Sequence, residues 1–97
     1  MITDAQKNII INTIMPFQPV KIGIFGSVAR SENTTNSDID ILYQLKNAIG
    51  LFNLIRLKDD LEEKLNTKVD LVSEKHIHPK LKPYIMNDLI IIYNYGK

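Results

Sequence analysis

The chain has 97 residues, with 12 Lys and Arg against 11 Asp and Glu for a formal net charge of +1, 44% hydrophobic residues and no cysteine. So even a balance argues against nonspecific polyanion binding as the main task, disulfide and thiolate chemistry are closed to it, and the apolar content suffices for one core with no room for a second. No run is long enough to span a membrane and the amino terminus lacks the basic-then-apolar pattern of a secretory signal, so one cytoplasmic domain over residues 1–97 is the expectation.

Thr3 with Gln6 three residues later has the form of a capping box, and Ile9, Ile10, Ile14 and Ile11 then predict a helix ending near Pro16. Val20 to Phe25 is a short apolar run that places Val20, Ile22 and Ile24 on one face and Gly23 and Phe25 on the other, which predicts a strand. Gly26 then allows a turn and a close backbone approach to a ligand. Ser27 adds a hydroxyl, and Val28, Ala29 and Arg30 begin a helix whose N-terminus faces the same spot, an arrangement suited to phosphate.

After a polar run, Ser37-Asp38-Ile39-Asp40 opens a second strand, Ile39 to Leu45. Side chains on a strand alternate, so Asp38 and Asp40 project from one face and their carboxylates converge. Two negative charges held that close repel each other, and a divalent cation relieves the repulsion. Oxygen donors with no cysteine or histidine pair beside them favour Mg²⁺, or Mn²⁺, over zinc. A glycine-serine turn alone, or a solvated Asp-Ile-Asp strand end that discourages edge pairing, would be ordinary. The two joined by one short loop point to a metal and nucleotide site.

Asn47 to Gly50 breaks the pattern, and Leu51 to Leu65 is predicted as a helix with Leu54, Leu57, Leu61 and Leu65 on one stripe, most simply a core stripe. Asn66-Thr67 ends it. Lys68 to Val72 reads as a third strand with Val69 and Leu71 facing one way and Asp70 the other, and an aspartate in an apolar strand calls for a reason, which pairing beside the Asp38 and Asp40 strand would give. His76 and His78 lack a third ligand at suitable spacing and are assigned to a surface loop. Lys75, Lys80 and Lys82 form only a weak basic cluster. A short helix is expected from Pro79 to Asp88, and Leu89 to Tyr95 is either a covered core strand or an apolar surface that a partner or a second copy covers.

Gly26-Ser27, ten residues and then Asp38-Ile39-Asp40 resembles the nucleotidyltransferase signature of the DNA polymerase beta superfamily, and the string from Gly26 to Asp40 is similar to that of its small stand-alone members, the minimal nucleotidyltransferases or MNT proteins. The departure is Ser31, where the family pattern has glycine; a left-handed backbone there would cost serine of order 1 kcal/mol. The resemblance covers nearly the whole chain. It implies an α+β fold with a small mixed β-sheet covered by helices, and catalytic, metal-holding carboxylates at Asp38, Asp40 and Asp70. It further implies two Mg²⁺ ions (Mn²⁺ as the substitute) and attack of an acceptor hydroxyl on the α-phosphorus of ATP, with Asp70 as candidate general base. Gly26 and Ser27 would cradle the β- and γ-phosphates, Arg30 would clamp a phosphate or tie down the loop, and Ser37 would orient Asp38.

Because only the catalytic core is present, the acceptor is expected to be another protein. The resemblance implies an antitoxin that transfers AMP to a tyrosine of a HEPN ribonuclease toxin, the two forming a hetero-oligomer, with no direct nucleic acid or membrane binding. Two alternatives share the site: an antitoxin that masks the toxin without catalysis, and a nucleotidyltransferase acting on a small molecule such as an antibiotic. Base preference and acceptor identity are not written in these residues.

Overall fold

A computed structural model describes residues 2–30 and 38–95. Helix α1 spans Asp4–Ile14, and Thr3 and Gln6 form the reciprocal capping box that their spacing predicts, with Gln6 N–H donating to Thr3 Oγ1 and Thr3 N–H to Gln6 Oε1. Proline cannot continue the helix, and a 3-10 turn over Met15–Phe17 carries the chain to Gln18, whose left-handed backbone redirects it. Strand β1 (Pro19–Phe25) is followed by α2, a single turn over Gly26–Ala29 closed at Arg30. Strand β2 is Ile39–Leu45, helix α3 Leu51–Leu65, strand β3 Val69–Ser73, helix α4 Lys82–Asp88 and strand β4 Ile90–Asn94.

The four strands form one mixed sheet in the order β3-β2-β1-β4. β1 is antiparallel to both β2 and β4, while β2 and β3 are parallel, with α3 as the crossover that a parallel pair requires. This is the α+β architecture expected. Alternation gives the sheet two faces. Ile22, Ile24, Ile39, Ile41, Tyr43, Leu45 and Val69 pack against Ile10 and Ile14 of α1 and Leu57 and Leu61 of α3 to make the core. Gly23, Asp40, Leu42, Asp70 and Val72 belong to the other face by the same alternation.

Three expectations need adjustment. Only Leu57 and Leu61 of the α3 stripe are fully buried; Leu54 and Leu65 lie at its margin, and Leu51, Phe52 and Ile55 are exposed. α4 starts three residues later than expected, because Leu81 and Lys82 both donate their N–H to the His78 carbonyl in a turn that precedes it. In β4 the two alternatives are divided along the strand: Ile90 and Ile91 are exposed, whereas Ile92 and Tyr93 pack against the core.

Candidate functional site

The carboxylates meet where β2 and β3 both begin. Because the two strands run parallel, the residue paired with Asp40 is Asp70, and Asp38 sits two positions before Asp40 on the same strand face. Two local hydrogen bonds hold this register: Ile39 N–H donates to the Lys68 carbonyl at 3.0 Å, and Val69 N–H donates to Glu62 Oε2 of α3 at 2.9 Å. Asp38 and Asp70 are exposed and Asp40 is half-buried between them.

Gly26 closes the site from the neighbouring strand. β1 pairs Phe25 with Asp40, so the turn after Phe25 passes directly over the Asp40 carboxylate. Gly26 has φ +77°, and a Cβ at this position would fall on Asp40 Oδ2 and lie 3.2 Å from Cγ. Only glycine satisfies both the left-handed backbone and the contact. The chain then turns through Ser27, Val28 and Ala29, with Val28 anchored in the core and Arg30 N–H donating back to the Gly26 carbonyl at 3.1 Å. Arg30 is the C-cap of this turn.

Burial, then the charge of Asp70, then that of Asp38, pushes the Asp40 carboxyl above its ordinary value, and the Arg30 guanidinium draws it partly back. The three carboxylates thus share one electrostatic field, with Asp40 bearing the strain. Among the described residues no three His, Cys, Asp or Glu side chains converge on one point as a ready-made chelate. The fit to a cation rests on donor chemistry: hard oxygen donors only, on adjacent rigid strands, with a charge excess that an Mg²⁺-type ion relieves.

Of the residues singled out from the sequence, the structure brings together Gly26, Asp38, Asp40 and Asp70, with Ser27 half-buried in the turn. Arg30 reaches α4, where Nη1 is ion-paired to Asp88 Oδ2. Ser37 and Ser31 lie outside the described residues. His76 and His78 are exposed and engaged locally, His76 Nδ1 with Ser73 Oγ at 3.2 Å and His78 Nδ1 with the Lys80 N–H at 3.1 Å. Asp88, named only as the end of a predicted helix, and Glu62 were given no role at the site from the sequence. Glu62 carries no signal beyond helix spacing, and Asp88 lies 58 positions from the arginine it holds.

A profile of the family described as Polymerase beta, Nucleotidyltransferase matches residues 8–97. A Methanocaldococcus jannaschii protein provisionally named a protein adenylyltransferase is 40% identical over 84 residues, which cover 87% of this chain and 90% of that protein. A crystal structure of a toxin-antitoxin with AMP-PNP superposes with a TM-score of 0.83 at 23% identity, covering 93% of this chain and 74% of the matched one. The complex of a tri-AMPylated Shewanella oneidensis HEPN toxin with an MNT antitoxin gives a TM-score of 0.75 at 21% identity, covering 93% and 71%. At those identities the two structures establish a shared fold.

Proposed function

This chain belongs to the polymerase beta nucleotidyltransferase family, and from that footing we propose that it is an antitoxin that transfers AMP from ATP to a tyrosine hydroxyl of a HEPN-type toxin. The observation that carries the proposal is the pairing of Asp40 with Asp70 beneath the Gly26 turn, which supports a carboxylate cluster working beside a glycine turn on a triphosphate. The adenylyl chemistry is supported by the name of the 40% identical relative. The acceptor class is supported by the tri-AMPylated toxin bound to the MNT antitoxin of the same fold.

The acceptor oxygen attacks the α-phosphorus; the new O–P bond forms as the bond from the α-phosphorus to the bridging oxygen of the β-phosphate breaks, and pyrophosphate departs with that electron pair. The tyrosine proton passes to Asp70, whose carboxylate is exposed. Backbone N–H groups at Gly26 and Ser27 hold the β- and γ-phosphates, Arg30 takes a phosphate oxygen, and Ser37 orients Asp38. Asp38 and Asp40, with Asp70 on the acceptor side, would hold two Mg²⁺ ions, or Mn²⁺ in their place, which when bound neutralise the triphosphate and acidify the acceptor hydroxyl.

A second reading, masking of the toxin without chemistry, draws on the exposed Leu51, Phe52 and Ile55 of α3. One experiment separates the two. The chain is incubated with Mg²⁺, α-labelled ATP and its co-encoded partner, beside an Asp38→Ala, Asp40→Ala double variant. Transfer predicts label on a partner tyrosine with the unsubstituted chain only, reduced at least about 100-fold in the variant. Absence of label with equal complex formation by both forms would leave masking as the function.

A further inference from the structure

We infer that the chain is itself an acceptor of AMP, at the Tyr84 hydroxyl, with one copy modifying another. The inference rests on the nucleotidyltransferase reading of the site and adds a second acceptor to it.

A site that transfers AMP to a phenol makes every accessible tyrosine a candidate substrate, those of its own chain included. There are four. Tyr43 is 7% exposed and shares a side-chain hydrogen bond with Ser73, and Tyr93 is packed against the core. Tyr95 is more open, but the Lys46 ammonium sits 4.2 Å from its ring centroid and its N–H is tied to the Val20 carbonyl at 2.8 Å. Tyr84 differs from all three. It stands in the first turn of α4, is 74% exposed, and its hydroxyl has no hydrogen-bond partner among the described residues. A phenol in that state has no hydrogen bond to break and little packing to give up on entering a site on another molecule.

The segment that presents Tyr84 is opposite in charge to the site. Between residues 75 and 87 the chain has Lys75, Lys80 and Lys82 and no acid, and all three lysines are exposed. Asp38 and Asp70 are exposed as well. Three carboxylates and a triphosphate together carry more negative charge than two divalent cations remove, so the loaded site still attracts a cationic segment. The helix is also held in place. α4 packs against β1 and α2, with Asp88 ion-paired to Arg30 and Leu89 against Gly23, so Tyr84 is offered from an anchored element and little ordering is needed when it docks.

In the step itself the Tyr84 oxygen bonds to the α-phosphorus of ATP while the bond from that phosphorus to the bridging oxygen of the β-phosphate breaks. Pyrophosphate leaves with the electron pair, and the phenol proton passes to Asp70 of the copy that holds the nucleotide. The product is a tyrosine phosphodiester on α4.

The test is incubation of the full chain with Mg²⁺ and α-labelled ATP in the absence of any partner, the labelled residue being located by mass spectrometry. Label is expected at Tyr84, and Tyr84→Phe should lower labelling of the chain at least about tenfold while labelling of the co-encoded partner stays within about twofold. A mixture then reports the direction of transfer: Tyr84→Phe as the donor, with a size-tagged Asp38→Ala, Asp40→Ala copy, shown to be folded by thermal unfolding, as the acceptor. Label on the inactive copy is the expected result.

Unchanged labelling in Tyr84→Phe overturns the inference, as does label on the partner with none on the chain. Label at Tyr84 of the active chain that never reaches the inactive copy overturns transfer between copies. No label on chain or partner overturns the inference together with the reading of the site, whereas label at Tyr84 with none on the partner sustains it and rejects the toxin as acceptor.

Discussion

At Gly26 the backbone and a carboxylate occupy adjoining volume with nothing to spare. Gly26→Ala meets two costs there: a left-handed φ worth about 1–2 kcal/mol and a methyl that must push Asp40 aside. The expected result is a melting temperature lower by about 4–8 °C together with at least about a tenfold loss in kcat/KM for ATP, checked by calorimetry and label transfer. Asp40 behaves in the opposite sense. Its carboxyl is raised, first by burial and then by Asp70 and Asp38, so the folded chain binds this proton more tightly than the unfolded chain does. An acid with that sign of shift loses stability as pH rises from its unfolded value through its folded one, and the loss persists above both. In chelator, Asp40→Asn should therefore melt above the unsubstituted chain at neutral pH, by at most about 4 °C because solvent screens a half-buried group, and the gap should close as pH falls through the carboxylate range. Transfer activity would be abolished in the same variant. A lower melting point at pH 7 would mean that this carboxylate is a net structural partner.

Among the elements, α3 does more than cover the sheet. Glu62, on its penultimate turn, accepts the Val69 N–H and so fixes the first residue of β3, immediately before Asp70. Glu62→Ala leaves that N–H without its carboxylate and should cost about 1 kcal/mol, seen as a lower urea midpoint and faster amide exchange at Val69, while Glu62→Gln, which keeps an acceptor, should stay near the original on both measures. Much at this scale was legible beforehand. The capping box on α1, the leucine stripe of α3 and the alternation that put Asp38 and Asp40 on one face of β2 are local patterns, and local patterns are what periodicity reports. The start of α4 was not, since Pro79 and Pro83 both suit a first turn and the choice between them was made by the His78 carbonyl, a tertiary detail. The outward Leu51, Phe52 and Ile55 escaped notice too, because a stripe argument identifies which residues can face a core and says little about the apolar residues left over.

For the molecule as a whole, the pieces of the candidate site and the pairing of the Asp70 strand beside the Asp38 and Asp40 strand were legible, and the exact register was not. Gly26-Ser27 and Asp38-Ile39-Asp40 declared themselves by spacing and chemistry, and Asp70 by being an acid in an apolar strand. That Asp70 pairs with Asp40 depends on β2 and β3 being parallel, which no residue of either strand specifies. Placement of β4 beside β1 is likewise a product of global packing, and it delivers Asp88 to Arg30 across 58 positions of the chain. The order β3-β2-β1-β4 has one more effect, on the nascent chain at the ribosome. β1 is made early yet stays open along one edge until residues 90–94 emerge to pair with it, and the tie to Arg30 arrives with the same segment. Closure of the sheet and the Arg30–Asp88 contact thus wait on the same stretch of chain, so a chain not yet made that far carries neither.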